Sequence, residues 1–418
     1  MNYNTATLGN GLRIIHLPTT SRVLYCGYGI MAGSRNELSG EEGIAHFCEH
    51  ATFKGTSTRK AAHISSCLER VGGDLNAFTN KEITMYHAAV GKEHVARAVD
   101  LLTDIVFRST YPQAELDKEV EVICDEIESY NDSPAELIYE EFEALLFKGH
   151  PLGHNVLGNA NQLRTYTRDN LKRFTDRYYN TGNAVFFASG DIDFGKLVRL
   201  LERKTADCPS RQQGITEAGG FYCCCGDVAR EMSPYEPQEK VVDKSTHQAH
   251  VLIGNRAYQA DDDRRYALTL LDNIIGGPGM NARLNMVLRE RNALVYTVYS
   301  NFLSYTDTGV WCVYFGCDPN DVALCRRLVR RELDRLASHP LSPSALLAAK
   351  RQLRGQISVA LDHNGAVAVD FAKQFLKYGV ERDYAAYLDK IDALTPADLL
   401  SAAQDIFNPE RLTTLIFK

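Results

Sequence analysis

The chain lacks any run of about eighteen apolar residues, so no part of it reads as a membrane-spanning helix. Its first residues, Met1-Asn2-Tyr3-Asn4-Thr5, lack the charged and apolar stretches of a secretory leader. They are not arginine-rich as a transit sequence is. A basic cluster of any weight is also missing. Lys and Arg number 46 against 53 Asp and Glu, and the net charge of −7 disfavours nucleic acid as a partner. The cysteines lack a pattern. There are 11, an odd number with no repeating spacing, so free thiols in a reducing cytoplasm fit better than a disulfide framework. The run Cys223-Cys224-Cys225 has no fourth ligand at finger spacing, and adjacent side chains point apart. It reads as linker. A cytoplasmic protein without membrane or nucleic-acid contacts is expected.

At 418 residues and 44% hydrophobic content, the chain has material for two cored domains. The opening reads as a hairpin around Asn10-Gly11, followed by a strand at 23–32. Helices are expected at 43–53 and 59–71, and strands at 74–79 and 84–90. Three helical stretches then fill 93–148, and a helix at 168–179 leads to a strand at 184–189. Strands grouped with helical runs, without strict alternation, indicate α+β layers. The second half repeats the order, with a strand at 249–254, a helix at 265–275, and a closing helix and strand at 395–406 and 412–417. Thr395 reads as the cap of that helix, with Pro396 at its first position. The expected fold is therefore two homologous α/β domains of about 210 residues, arising by internal duplication. The division is 1–218, a join at 219–243 rich in Gly, Pro, Cys and charge, and 244–418.

His46-Phe47-Cys48-Glu49-His50 spells H-x-x-E-H, the inverted order of a zinc-protease signature. On a helix, residues four apart share a face, so His46 and His50 would aim two imidazoles at one point with Glu49 beside them. Hydrolytic zinc needs three protein ligands and one open position. Downstream, Gln113–Tyr130 is a helix by periodicity, with Leu116, Val120, Ile123 and Ile127 marking its buried face. Glu119 and Glu126, seven apart, share one side of it. Two readings stay open for them at this point: a solvated acidic flank, or carboxylates that are paired or metal-bound. If Gly276 is set against Gly55, then Ala267, Leu270 and Leu271 fall where His46, Glu49 and His50 stand. The second copy has apolar residues in place of the motif.

This combination resembles the pitrilysin-type zinc peptidases, the inverzincins of family M16. The resemblance rests on H-x-x-E-H followed 76 positions after His50 by Glu126 within E-x6-E. It continues through Gly72-Gly73-Asp74-Leu75-Asn76-Ala77-Phe78-Thr79, Glu82 and Tyr86, then Asp132-Ser133-Pro134, His150-Pro151-Leu152-Gly153 and Leu157-Gly158. Gly276-Gly277-Pro278-Gly279-Met280, Arg283-Leu284 and the pair Arg289 and Tyr296 extend it nearly to the whole chain.

The resemblance implies one zinc per chain, held by His46, His50 and Glu126, with Glu49 as general base. Glu119 would orient a ligand or the water. Arg289 and Tyr296 would steady the oxyanion. Asn76, Ala77 and Phe78 would bind peptide by strand addition. It further implies a half-size chain forming half of a clamshell chamber. Two copies would complete each other's sites in a homodimer that hydrolyses peptides or unfolded segments. Two alternatives differ in partner or chemistry. One is a precursor-processing peptidase working with a related but different chain. The other is a non-catalytic assembly subunit, against which the intact Glu49 and ligand set count.

Overall fold

The structure is a computed structural model and describes residues 1–210 and 232–418. The Cys223–Cys225 run and most of the expected join lie outside the described residues. The chain begins with strands β1 (Asn4–Thr7), β2 (Arg13–Pro18) and β3 (Val23–Ile30), then helices α1 (Ile44–Thr52) and α2 (Ala61–Glu69). Strands β4 (Asp74–Thr79) and β5 (Thr84–Gly91) precede helices α3 (Val95–Phe107), α4 (Gln113–Asn131), α5 (Pro134–Leu146), α6 (Ala160–Leu163) and α7 (Arg168–Tyr178). Strand β6 (Ala184–Gly190), helix α8 (Phe194–Lys204), and strands β7 (Glu239–Val242) and β8 (Ala249–Ala257) follow. Helix α9 (Arg264–Gly276), strands β9 (Val295–Ser304) and β10 (Gly309–Cys317), and helices α10 (Val322–Ser338) and α11 (Pro343–Ala360) come next. Helices α12 (Asn364–Tyr378), α13 (Tyr384–Ala393) and α14 (Pro396–Ile406) and strand β11 (Thr413–Phe417) close the chain.

The first sheet runs β1-β2-β6-β3-β5-β4 and the second β7-β11-β8-β10-β9. From β2 onward the two match strand for strand. β2 and β6 pair in parallel, as β7 and β11 do, and the remaining neighbours pair antiparallel in both. This is the duplication expressed as topology. Glu239–Val242, placed in the join by composition, is strand β7 of the second sheet. Its four residues are too few to show a hydrophobic period.

Two compact units divide the described residues, and each draws on separate stretches of chain. The first comprises Met1–Glu128, residues 154–210 and Ala360–Asp383; the second comprises Ser129–Gly153, Met232–Val359 and Tyr384–Lys418. In the first, α1, α3 and α7 cover one face of the sheet, with Tyr28, Phe47, Phe174 and Phe186 buried among them. Helix α12 covers the other face through Phe371, Phe375 and Leu376 against Ile15, Met85 and Phe187. In the second unit, Trp311 and Phe315 are buried beneath α9, α10 and α14. Helix α5 packs Ile138 and Phe142 on the opposite face against Leu252 and Leu415.

Candidate metal centre

Helix α1 begins without a side-chain cap of the usual kind. Gly43, its N-cap, has φ 85°, a left-handed conformation that glycine adopts freely. A Cβ there would meet the Cα of Gly158 at 2.8 Å. The orphan amides at the helix start are taken by Glu37 instead. Its fully buried carboxylate accepts from the backbone N–H of Gly43 at 3.1 Å and of Ala45 at 2.9 Å. Burial pushes the Glu37 carboxyl well above its ordinary pKa, and the two amides pull the other way. Ile44, Phe47, Cys48 and Ala51 then bury the core side of α1.

The opposite side carries the motif. The His46 and His50 rings lie 4.5 Å apart between centroids. Glu126, from α4, brings Oε2 to 3.5 Å from His50 Nε2 and 3.8 Å from His46 Nε2. Bonds of about 2.0–2.1 Å to a tetrahedral zinc would set ligand atoms about 3.3 Å apart, close to this spacing. The ligand atoms of all three residues lie within 4.8 Å of one another. Among the described residues, this is the group of His, Cys, Asp and Glu side chains with that closeness. The set is two imidazoles and one carboxylate, a donor set suited to zinc. Buried His46 Nδ1 has no hydrogen-bond partner among the described residues.

Burial and the neighbouring His50 lower the His46 pKa to about 4, so its imidazole is neutral at pH 7. For His50, burial acts downward but is outweighed. Hydrogen bonds to Glu119 and Glu126 raise it to about 9. Glu119 Oε1 meets His50 Nδ1 at 2.9 Å, and Oε2 pairs with Lys54 at 2.5 Å. Burial would raise the Glu119 pKa, yet those two partners hold it below its ordinary value. Glu49 is 7% exposed, and its Oε2 accepts from Thr79 Oγ1 at 2.7 Å. Burial raises its pKa against the hydrogen bond from Thr79.

A cleft of about 270 Å³ joins this cluster to β4. Glu49, His50, Lys54, Leu75, Asn76 and Ala77 line it. β4 is the edge of its sheet and pairs with β5 alone. The backbone N–H of Ala77 donates to the side-chain Oδ1 of Asn76 at 2.8 Å. Phe78 lies on the far face of β4, with Lys373 Nζ 4.8 Å above its ring. Asn76 and Ala77 thus stand beside the histidines, and Phe78 faces elsewhere.

Arg289 and Tyr296 belong to the second unit, not to the unit that holds the histidines. They meet each other, the Arg289 guanidinium lying 5.5 Å from the Tyr296 ring. Arg289 lies in the last turn of a π-helical segment at Asn285–Glu290, and Tyr296 near the start of edge strand β9 is 82% exposed. Three members of the site escape the sequence reading. Thr79 alternates with Leu75 and Ala77 onto the face that meets α1, a period-two signal. Lys54 stands four residues after His50, a helical signal. Glu37 sits in a loop, and no periodic pattern marks it.

Comparison with known proteins agrees with this geometry. Family-wide profiles match residues 14–160 as insulinase, peptidase family M16, and residues 165–353 as the peptidase M16 inactive domain. An uncharacterized zinc protease of Streptomyces coelicolor is 32% identical, covering 96% of this chain and 86% of its own length. The uncharacterized zinc protease YmxG of Bacillus subtilis is 30% identical, covering 98% of this chain and 97% of its own. The crystal structure of a protease from Helicobacter pylori superposes with a TM-score of 0.90 at 23% identity, covering 100% of this chain and 99% of that one. The chain belongs to peptidase family M16. It carries two domains of M16 type with mixed helix and sheet. Among the described residues, no helix is long and apolar enough to cross a membrane.

Proposed function

We propose that this chain is a zinc-dependent endopeptidase acting on peptides or unfolded segments, with one zinc per chain held by His46, His50 and Glu126. The observation that carries this is the convergence of two Nε2 atoms and one carboxylate oxygen at 3.5 and 3.8 Å, beside the buried Glu49. When bound, zinc lowers the pKa of a coordinated water towards about 7 and polarises a carbonyl. Glu49 takes the proton from the attacking water and returns it to the leaving amine. Its raised pKa brings acid and base forms closer in energy, as a proton shuttle needs. Thr79 holds the carboxylate in place. Glu119 fixes the ring of His50 by accepting at Nδ1, which leaves Nε2 as the donor atom towards the metal. The edge of β4 receives an extended peptide as an added strand, with Asn76, Ala77 and Phe78 in contact. Arg289 and Tyr296 stabilise the oxyanion.

The assembly follows the same reading. Residues 1–218 and the stretch from β7 to β11 are the duplicated halves, joined through the residues before β7, and form half of a clamshell chamber. Two copies make a homodimer. The chain works in the cytoplasm, a reading supported by eight free buried cysteines among the described residues.

Glu49→Gln tests the core of the proposal. It should keep zinc and fold while losing peptide cleavage by a factor of about 10² to 10⁴. Near-normal turnover in that variant would remove Glu49 from the role of base.

A further inference from the structure

We propose that a cavity of about 440 Å³ beneath α12 is a specificity pocket that takes one large apolar side chain of the bound peptide. This deepens the endopeptidase reading and rests on it. The cavity occupies the sheet face turned away from α1. Tyr25 of β3, Ala89 of β5 and Phe187 of β6 form its floor, and Gly365 and Val369 of α12 its roof. A Cβ at Gly365 would come within 3.0 Å of the Tyr25 ring, so roof and floor close to contact there. Asp74, exposed and first in β4, forms part of the wall. The cavity therefore reaches the free edge of the sheet.

The chemistry of the walls selects the ligand class. Of the three charged side chains on its wall, Asp74 stands exposed at the rim and the other two are already engaged. Lys373 lies over the ring of Phe78 at 4.8 Å, and Asp370 pairs with Arg382 at 3.1 Å. Burial lowers the His87 pKa from its ordinary value, which favours the neutral ring. What remains open is mainly aromatic and aliphatic surface. Such a wall gains by covering an apolar side chain and loses by desolvating a charged one.

The geometry also selects the position. Along β4, Leu75, Ala77 and Thr79 turn towards α1 and the histidine cluster, while Asp74 and Phe78 turn to the α12 face. A peptide added to this edge alternates in the same way. Every second side chain stands on the face with the cavity. Asp74 is three residues from Ala77, which lines the cleft at Glu49, a distance of about 10 Å along a strand. The pocket reads a residue about two to four positions from the cut bond.

The test uses full-length, zinc-loaded protein and a peptide series differing only at those positions, with Trp, Phe, Leu, Ala or Asp substituted in turn. Both kcat/KM and Kd are measured, the latter by fluorescence polarisation. At one position Phe should exceed Ala by at least about tenfold in kcat/KM, carried mainly by KM, the scale of discrimination in an apolar pocket. The Phe/Ala ratio is taken within each variant, so overall losses cancel. Val369→Trp, which fills the cavity, should bring the ratio to within about twofold of unity. Tyr25→Ala, which widens it, should shift preference towards Trp. A ratio near unity at every position in wild type, or a ratio unchanged in both variants, overturns the pocket. If no peptide is cut, the endopeptidase reading falls, and the pocket is judged on Kd. Equal Kd for the Phe and Ala peptides then overturns it.

Discussion

Glu119 Oε1 lies 2.9 Å from Nδ1 of His50, on the side of the ring opposite the Nε2 that faces Glu126. That one contact assigns the two nitrogens of His50 to different tasks. It also ties α4 to α1 at a point two turns from Glu126. Removing it should loosen metal binding without unfolding the chain. Glu119→Gln is expected to weaken zinc affinity by about 10- to 100-fold, the usual cost of losing a partner that orients a ligand. Competition with a chromogenic chelator measures it. Unaltered affinity would show that Lys54 or the helix alone orients the ring.

The same contact sets the pH dependence of metal uptake. In the metal-free protein the pKa of His50 is raised to about 9, whereas that of His46 is lowered to about 4. Between those values zinc must displace one proton, from His50. Apparent affinity should rise about tenfold per pH unit across the neutral range and level off near pH 9. Glu119→Gln removes one group that holds the proton, so its plateau should begin at lower pH. Isothermal titration in buffers of different ionisation enthalpy counts the proton directly. Uptake without proton release at pH 7 would contradict the assignment.

Much of this site was legible in the sequence because its parts lie on periodic elements. His46 and His50 at helical spacing, and Glu119 and Glu126 two turns apart, are pairs that a helix alone brings onto one face. The hairpin at Asn10-Gly11 was equally local, and Gly11 has φ 88° in the turn between β1 and β2. Thr395 caps α14 through Asp398, as its sequence indicates. Helix α8 was not read, although Asp193 at its cap and Leu197 and Leu201 one turn apart carry the signal. What periodicity cannot supply is the partner of a buried face. Helices α5 and α12 are plainly amphipathic. That α12 packs against Ile15 and Phe187, both distant in the chain, is a property of the folded chain. Glu37 is the clearest case, since its function depends on reaching amides six and eight residues further on.

Glu37 should therefore matter more than its place in a loop implies. Glu37→Ala leaves two amides at the start of α1 without acceptors in a dry site, at about 1–3 kcal/mol each. Glu37→Gln keeps one acceptor oxygen and should recover part of the loss. Urea denaturation measures the stability, and metal analysis shows whether the displaced helix still holds zinc. Wild-type stability in Glu37→Ala would mean that water caps the helix equally well.

The second unit contains its own titrating carboxyl. Asp272 accepts from Trp311 Nε1 at 3.1 Å, and burial pushes its pKa up to about 6, against hydrogen bonds from Ser300 and Trp311. An acid whose folded pKa is raised contributes stability that is fully present below its unfolded pKa of about 3.9. That contribution is lost as pH rises through about 6. The total at stake is up to about 3 kcal/mol. Asp272→Asn should remove the dependence, so the variant gains on wild type between pH 5 and pH 7.5. Trp311 is the only tryptophan in the chain, which makes its fluorescence a local reporter of the unfolding. Parallel stability curves for the two proteins would show that Asp272 stays ionised throughout.

The last prediction concerns how a complete site is assembled. The proposed zinc ligands His46, His50 and Glu126 lie in the first unit and Arg289 with Tyr296 in the second. In the larger M16 enzymes that the sequence resembles, the matching pair comes from the opposite half of the shell. In a homodimer of this chain, each site is expected to take its histidines from one protomer and Tyr296 from the other. Two inactive variants, Glu49→Gln and Tyr296→Phe, test this when mixed. One arrangement in the mixed dimer joins an intact zinc set to an intact Tyr296, and the opposing site carries both lesions. Activity should return to roughly a quarter of wild type at full statistical exchange, since half the dimers are mixed and each holds one working site. Mass spectrometry of differently labelled protomers verifies exchange. If exchange is complete and no activity returns, the site is not shared between two copies of this chain.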